Sequence, residues 1–392
     1  MIMKPFTNEI LPQGYKMTEL GALPEEWEVV VFEKCIKNEA SKVGKVKQQE
    51  YKVYGKYPII DQGQSLIAGY CDNEKYVYEG RLPVIIFGDH TRILKFINFP
   101  FVTGADGTKV LIPNTSVILP EFFYFALLNI KIPNRGYNRH YSLLREQKLP
   151  LPPLPEQKKI ATVLSAMQEA KEKTQVVIDA TKALKKSMMK HLFTYGPVPT
   201  EETENVPLKE TEIGKVPEEW EVVKLGEVAE VKYGKANTKD KGNIPVVGSG
   251  GVYSRTRTPL VDYPTIVIGR KGTAGKSWLF LEPCYPSDTT FYLRWKKDID
   301  LKFLYNYMVL NQLSGEHAKT TLPSLQKADL INYSLPLPPL PIQQKIASIL
   351  SAIDAKIEAE ENKKKSLEDL FKTLLHNLMT AKIRVHNLEI KV

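Results

Sequence analysis

The feature that most constrains this chain is that it is written twice. Residues 18–30 read TELGALPEEWEVV and residues 211–223 read TEIGKVPEEWEVV, with ten of thirteen positions identical at an offset of 193. Residues 149–166 read LPLPPLPEQKKIATVLSA and residues 335–352 read LPLPPLPIQQKIASILSA, with fourteen of eighteen identical at an offset of 186. Between these paired frames the two inserts scarcely resemble each other. Two long copies cannot make a solenoid, which needs at least about three short repeats. They specify two units of like layout and a pseudo-twofold molecule.

Each frame has a mechanical role. LPLPPLP cannot sit inside a helix or a central strand, because proline lacks the amide donor and clashes with the preceding turn. It therefore runs extended and releases a helix. The helix after residue 154 repeats every seven residues at Ile160, Met167, Thr174, Thr181 and Met188, with a second seam at Val163, Ala170, Val177, Leu184 and His191. The later helix matches it with Ile346, Ile349, Ile353, Leu367, Leu370 and Leu374 around a polar middle. Sustained heptads predict a coiled-coil pair, about 34 residues and roughly 50 Å long at the usual helical rise. Residues 196–210 are rich in Pro, Thr and Glu and read as a linker, with a shorter counterpart at 7–15. The inserts carry short β-type runs bounded by turn signals (84–87, 93–97, 245–247, 265–268, 289–293), and each closes with a helix-like stretch, 121–129 and 301–311. The fold class is α+β, with two mixed domains joined by two long helices. The predicted parts are a first domain at 1–153, helices at 154–195 and 340–382, a linker at 196–210, a second domain at 211–339 and a tail at 383–392.

Charge is where the two inserts agree. Residues 31–148 carry 17 Lys and Arg against 11 Asp and Glu, and residues 224–334 carry 16 against 10, while the whole chain stands at +9. The frames are thus slightly acidic, and two basic blocks point to two polyanion-facing surfaces. No apolar run has the length of a membrane span and the N-terminal residues hold no apolar signal core. The expected location is the cytoplasm. Cys35, Cys71 and Cys284 are too far apart for a disulfide framework or a metal knuckle, so neither metal nor cofactor is expected.

Catalytic motifs fail on inspection. RKGTAGKS at 270–277 looks like a phosphate loop, but the motif needs glycine where Arg270 stands. NFPF at 98–101 matches an adenine-methylase tetrapeptide only loosely and follows no glycine-rich cofactor loop. The six histidines form no HxH or HxxxH pair. A nuclease or NTPase built on the 270–277 loop and a scaffold that binds only protein stand as the alternatives to a DNA reader. What remains is polar and loop-borne. The first insert offers His90, Thr91 and Arg92, then Arg135, Asn138, Arg139 and His140 within NRGYNRHY. The second offers Lys235 among Lys232, Lys239 and Lys241, Arg255 and Arg257 around Thr256, and Arg270, Lys271, Thr273 and Lys276 among glycines. These residue types pair with guanine and adenine edges, thymine methyls and phosphates, and glycine lets the backbone approach a phosphate.

PEEWEVV, FGDHTR, GADGTKVL, LPLPPLPEQKKIATVLSA and MKHLF in the first half resemble the specificity subunit of Type I restriction–modification systems. PEEWEVVKLGE, IPVVGSGG, GRKGTAGK, YPSDTTFY and LPLPPLPIQQKIASILSAID do so in the second half, and the resemblance covers nearly the whole chain. It implies two target-recognition domains held apart by two antiparallel helices, each reading half of a bipartite double-stranded DNA target. It implies no catalysis by this chain. S-adenosylmethionine, ATP and magnesium would belong to partners, namely two methyltransferase subunits and the translocating restriction subunits. The docking surfaces are expected on the helices and the PEEW anchors, with Trp27 and Trp220 as apolar pins and Gln157 and Gln343 beside them.

Overall fold

The computed structural model describes residues 11–37, 44–104, 106–136, 138–236, 240–313 and 324–385. Tyr137, Lys239, His317, His386, residues 7–10 of the expected first linker and residues 386–392 of the expected tail lie outside them. The chain divides into two compact units, one of residues 1–173 with 364–392 and one of residues 174–363. The division cuts through both long helices and not at their ends, unlike the linear order of parts read from the sequence.

Unit 1 opens with a hairpin of β1 (Tyr15–Thr18) and β2 (Gly21–Pro24). β3 (Glu28–Val31) follows the Trp27 anchor and pairs antiparallel with β10 (Lys148–Leu151), Val29 opposite Pro150. The two repeated motifs are therefore partners in space, closing one frame around the insert. Pro150 is tolerated because this sheet has only two strands, and a missing amide costs no inner ladder bond. The insert holds two small sheets. In one, β6 (Val84–Gly88) lies between β7 (Leu94–Ile97) and β9 (Thr108–Leu111). In the other, β4 (Tyr57–Ile60) pairs antiparallel with β5 (Gly69–Cys71) and parallel with β8 (Val102–Thr103). α1 (Pro120–Asn129) begins one residue earlier than expected because Pro120 fits the first helical turn, where its lack of an amide hydrogen costs nothing. It buries Phe122, Phe123 and Phe125 against Trp27, Phe32 and Leu144. The short α2 (Tyr141–Arg145) leads to β10, and α3 (Leu154–Tyr195) starts at the predicted residue.

Unit 2 repeats this plan. A hairpin of β11 (Leu208–Thr211) and β12 (Gly214–Pro217) begins inside the expected linker, and β13 (Glu221–Lys224) leads into the short α4 (Leu225–Val228) and β14 (Ala229–Tyr233). β15 (Ile244–Gly248) pairs antiparallel with β16 (Gly251–Thr256), and β17 (Thr265–Gly269) with β18 (Ser277–Phe280). β19 (Tyr285–Pro286) adds parallel to β15, and β20 (Thr290–Trp295) lies between β14 and β17. After α5 (Leu301–Leu310) and α6 (Lys327–Ile331), β21 (Ser334–Leu337) returns to pair with β13, Pro336 opposite Val222. α7 (Leu340–Met379) follows.

The helices confirm one predicted seam and correct the other. On α3 the buried series runs through Leu164, Ile178 and Leu192, each one residue beyond Val163, Val177 and His191, while Val177 and Leu184 are 40% and 53% exposed. The seam was missed because two of its positions are lysines. Lys171 lies over the Phe371 ring at 4.9 Å, and Lys185 reaches Asp354 at 2.7 Å. Long basic side chains pack their stems along the seam and keep the charge in water. On α7, Leu350 and Phe371 take the places read as Ile349 and Leu370. Within unit 2, Lys185 pairs with Asp354 and Lys182 with Glu361 at 2.6 Å, so the helices run antiparallel there. Thr174 and Glu360 are buried, while most of the polar middle of α7 is exposed.

Candidate nucleic-acid interface

In unit 1 four segments meet beside the insert sheets: the β4–β5 loop, the β6–β7 turn, the β8–β9 turn and the 131–140 loop. Gln62 ties the first three. Its Oε1 accepts from the His90 amide at 3.2 Å, its carbonyl accepts from Thr91 Oγ1 at 2.6 Å, and its Nε2 donates to the Asp106 carbonyl at 3.0 Å. Gly107 has φ +86°, and a Cβ there would lie 2.7 Å from Gln62 Oε1, so only glycine closes this junction. Buried Lys95 donates to the carbonyls of Asp61 and Ser65 at 2.8 and 2.6 Å, pinning the β4–β5 loop. Burial pulls the Lys95 pKa down, and Asp61 acts against that shift.

The fourth segment is fixed by Asp89 and His140. The Asp89 carboxylate accepts from the amides of His140 and Tyr141 at 2.9 and 2.8 Å. His140 Nδ1 donates to the Asp89 carbonyl at 2.9 Å, and Nε2 accepts from the Arg135 amide at 3.2 Å. Arg92 sits in the left-handed region at φ 63° and donates to the Ile132 carbonyl at 2.9 Å. The tip they hold is exposed, with Arg135, Asn138 and Arg139 facing solvent.

Unit 2 builds the same cluster around residues 285–290. The Thr289 carbonyl accepts from the Arg270 amide at 2.9 Å, Thr289 Oγ1 accepts from the Ser249 amide at 3.2 Å, and the Pro286 carbonyl accepts from the Lys235 amide at 3.1 Å. The 270–277 segment joins two antiparallel strands, with the Gly269 amide bonded to the Lys276 carbonyl at 2.8 Å. No helix follows it, as a phosphate loop requires, so the NTPase alternative loses its site. Gly275 has φ +80°, and a Cβ there would lie 1.8 Å from the Leu313 carbonyl oxygen. Arg270 is half-buried over the rings of Tyr233 and Phe291 at 5.4 and 6.0 Å, and Lys276 lies over Trp278 at 5.5 Å. Arg255 donates to the Asn243 carbonyl at 2.6 Å and Arg257 to the Lys241 carbonyl at 2.8 Å. A hydrogen bond from Thr256, then one from the Arg257 amide, holds Asp240 below the usual carboxylate range.

Most of the sequence-selected side chains thus reach the two loop clusters. Thr91, Arg135, Asn138 and Arg139 are exposed in one, and Lys235, Arg255, Arg257, Lys271, Thr273 and Lys276 in the other, while His90, Arg92 and Arg270 are half-buried. His140 is a correction, because its ring is wholly buried with both nitrogens engaged and it positions the loop. The residues expected to dock partners are also corrected. Trp27 and Trp220 belong to the cores of their units. Gln157 accepts from the Leu119 amide at 2.8 Å and donates to the Pro152 carbonyl at 2.9 Å, clamping the proline exit to the start of α1. Gln343 does the same between the Asp300 amide and the Pro338 carbonyl, at 2.9 and 2.8 Å. Gln62, Asp89, Lys95 and Thr289, which hold the clusters together, escaped the sequence reading. Nothing in residue type or spacing marks them, because their partners lie 28 to 52 positions away in the sequence.

The family model for the Type I restriction modification DNA specificity domain matches residues 24–178 and again residues 217–369. The chain belongs to that family. The two matched copies of the specificity domain coincide with the two frames and their inserts, and they make this a DNA-specificity subunit rather than an enzyme. The chain is 29% identical to the Type I restriction enzyme MjaVIII specificity subunit of Methanocaldococcus jannaschii, over 97% of this chain and 99% of that one. It is 26% identical to the putative MjaX specificity subunit of the same organism, over 95% and 97%. The Type I restriction–modification S subunit of M. genitalium shares the fold at a TM-score of 0.64 and 18% identity, covering 90% of this chain and 96% of that one. Among the described residues no cluster of three His, Cys, Asp or Glu side chains could hold a metal, and no helix is long and apolar enough to cross a membrane.

Proposed function

We propose that each unit reads one half of a bipartite double-stranded DNA target. The long helices set the gap between the halves and, with the frames, dock two methyltransferase subunits. Restriction subunits join the same complex, and S-adenosylmethionine, ATP and magnesium act in the partners. The observation that carries this reading is the recurrence of one loop cluster in two inserts of unrelated sequence. Each cluster is braced from within by buried polar groups and presents a different set of exposed Arg, Lys, Asn and Thr side chains. A rigid scaffold with interchangeable tips is what two independent sequence readers require. Phosphate contacts by the lysines and arginines would supply salt-dependent affinity, while polar and apolar contacts to base edges would supply the choice of sequence.

The test is a genome-wide map of N6-methyladenine in cells expressing this chain with its neighbouring methyltransferase. The expected motif has two parts and a constant gap, and exchanging residues 31–148 or 224–334 for those of a relative changes only one part. A continuous motif that survives both exchanges would place specificity elsewhere. No methylation from a confirmed complex with an active methyltransferase would favour a scaffold that binds only protein.

A further inference from the structure

We infer that Tyr253 is a base-reading residue of unit 2, set into an open cleft by a β-bulge; the inference rests on the DNA-reading function proposed above. Between β15 and β16, Val246 faces Ser254 and Val247 faces Val252, so Tyr253 is the extra residue of the strand. A bulge bends its strand and re-aims a side chain, and Tyr253 is left 62% exposed beside Val252 at 52%. The Tyr253 ring lies against Gly248, where a Cβ would stand 3.1 Å from two ring carbons. The cleft is about 670 Å³, and its charged and aromatic walls are Asp240, Lys241, Tyr253, Arg255 and Asp288. Arg255 is held there by its bond to the Asn243 carbonyl at 2.6 Å.

The occupant follows from the charge. Arg255 and Lys241 share the cleft with Asp240 and Asp288, so its own charge balances, and the cationic surplus is supplied by exposed Lys271 and Lys276 on the β17–β18 hairpin, which suits a phosphate backbone running beside the cleft. The Tyr253 hydroxyl can donate to phosphate, but its exposed ring face contacts base edges and thymine methyls, and Tyr253→Phe separates the two roles. The exposed Asp288 carboxylate repels phosphate and accepts from a base amino group. The corresponding hairpin of unit 1 carries its own exposed apolar pair, Leu66 at 50% and Ile67 at 36%, on the loop pinned by Lys95. A different exposed apolar group on the corresponding hairpin of each unit is what two different half-sites require.

The experiment uses the full chain assembled with its methyltransferase, acting on a duplex library randomised in both half-sites. Wild type, Tyr253→Ser, Tyr253→Phe and Arg255→Ala are compared. Tyr253→Ser should relax discrimination at one position of the unit 2 half-site by roughly tenfold, leaving the other half-site and the salt dependence of binding unchanged. Tyr253→Phe should keep most of the preference. Arg255→Ala should weaken all sequences alike and flatten the salt dependence. An unchanged motif in Tyr253→Ser, or an equal loss on every sequence, overturns the inference. So does failure of that variant to fold, because an exposed reading residue is not needed for folding. Exchange of residues 224–334 is the parallel control. If the exchange alters one half-site and Tyr253→Ser does not, only the inference fails; if the exchange alters neither, the reading beneath it fails.

Discussion

His140 and Arg139 are adjacent polar residues in one loop, yet one is wholly buried and the other is exposed. Residue type and spacing alone do not separate them, because the partner that buries His140 is Asp89, 51 positions away. The same holds for the cysteines. All three are free and buried, and burial raises the thiol pKa of Cys35 and Cys284 to about 12. A buried thiol kept neutral is a poor nucleophile. Native protein at pH 8 should therefore react with Ellman's reagent far more slowly than protein in guanidinium, which should release three equivalents. The sign of the linkage is also fixed. Between pH of about 9 and 12 the folded chain keeps protons that the unfolded chain loses, so these thiols lower stability as pH rises through that window and do nothing below it. Rapid native labelling of Cys35 or Cys284 would contradict the burial.

At the level of elements, the two frames solve one joint in two ways. In unit 1 the Trp27 indole donates to Glu156 at 2.8 Å, and Arg384 bridges Glu156 at 2.8 Å and Glu26 at 2.6 Å. In unit 2 the matching positions are Trp220, Ile342 and Val198, which line one cleft with no ion pair among them. Removing one partner of a buried ion pair leaves the other charge stranded, at a cost of about 3–5 kcal/mol, whereas a well-packed apolar replacement of both is often neutral. Arg384→Val should therefore lower the melting temperature by several degrees, and adding Glu156→Ile, which copies unit 2, should recover part of it, the buried Trp27 indole then being left without its acceptor. A double variant as unstable as the single one would show that the ion pair itself, not relief of a stranded charge, holds the joint. The sequence made the frames legible because their repetition marks them, and it made the helix starts legible because proline dictates them. It hid this joint because Arg384 lies 228 positions from Glu156, in a stretch read as a tail. The second helical seam was hidden for a related reason: a search for apolar residues passes over Lys171 and Lys185, whose stems occupy the seam.

For the molecule as a whole, the basic excess lies in the inserts and the duplicated frames are slightly acidic. Under the proposed function, charge that steers and holds a polyanion is kept apart from the elements that would fix spacing, and the two properties should be separable by mutation. Loop charges would set affinity and its salt dependence. Helix length would set distance, in units of about 1.5 Å per residue. Four residues inserted into each long helix, after Lys173 and after Lys363, add about 6 Å of rise, close to two base-pair steps at roughly 3.4 Å each. The expected methylation motif keeps both half-sites unchanged and lengthens the gap by one or two base pairs. Insertion in only one helix mismatches the pair and should abolish methylation instead of altering the gap. If the double insertion changes the bases read while the gap stays constant, the helices take part in reading and the division of labour between inserts and helices is wrong.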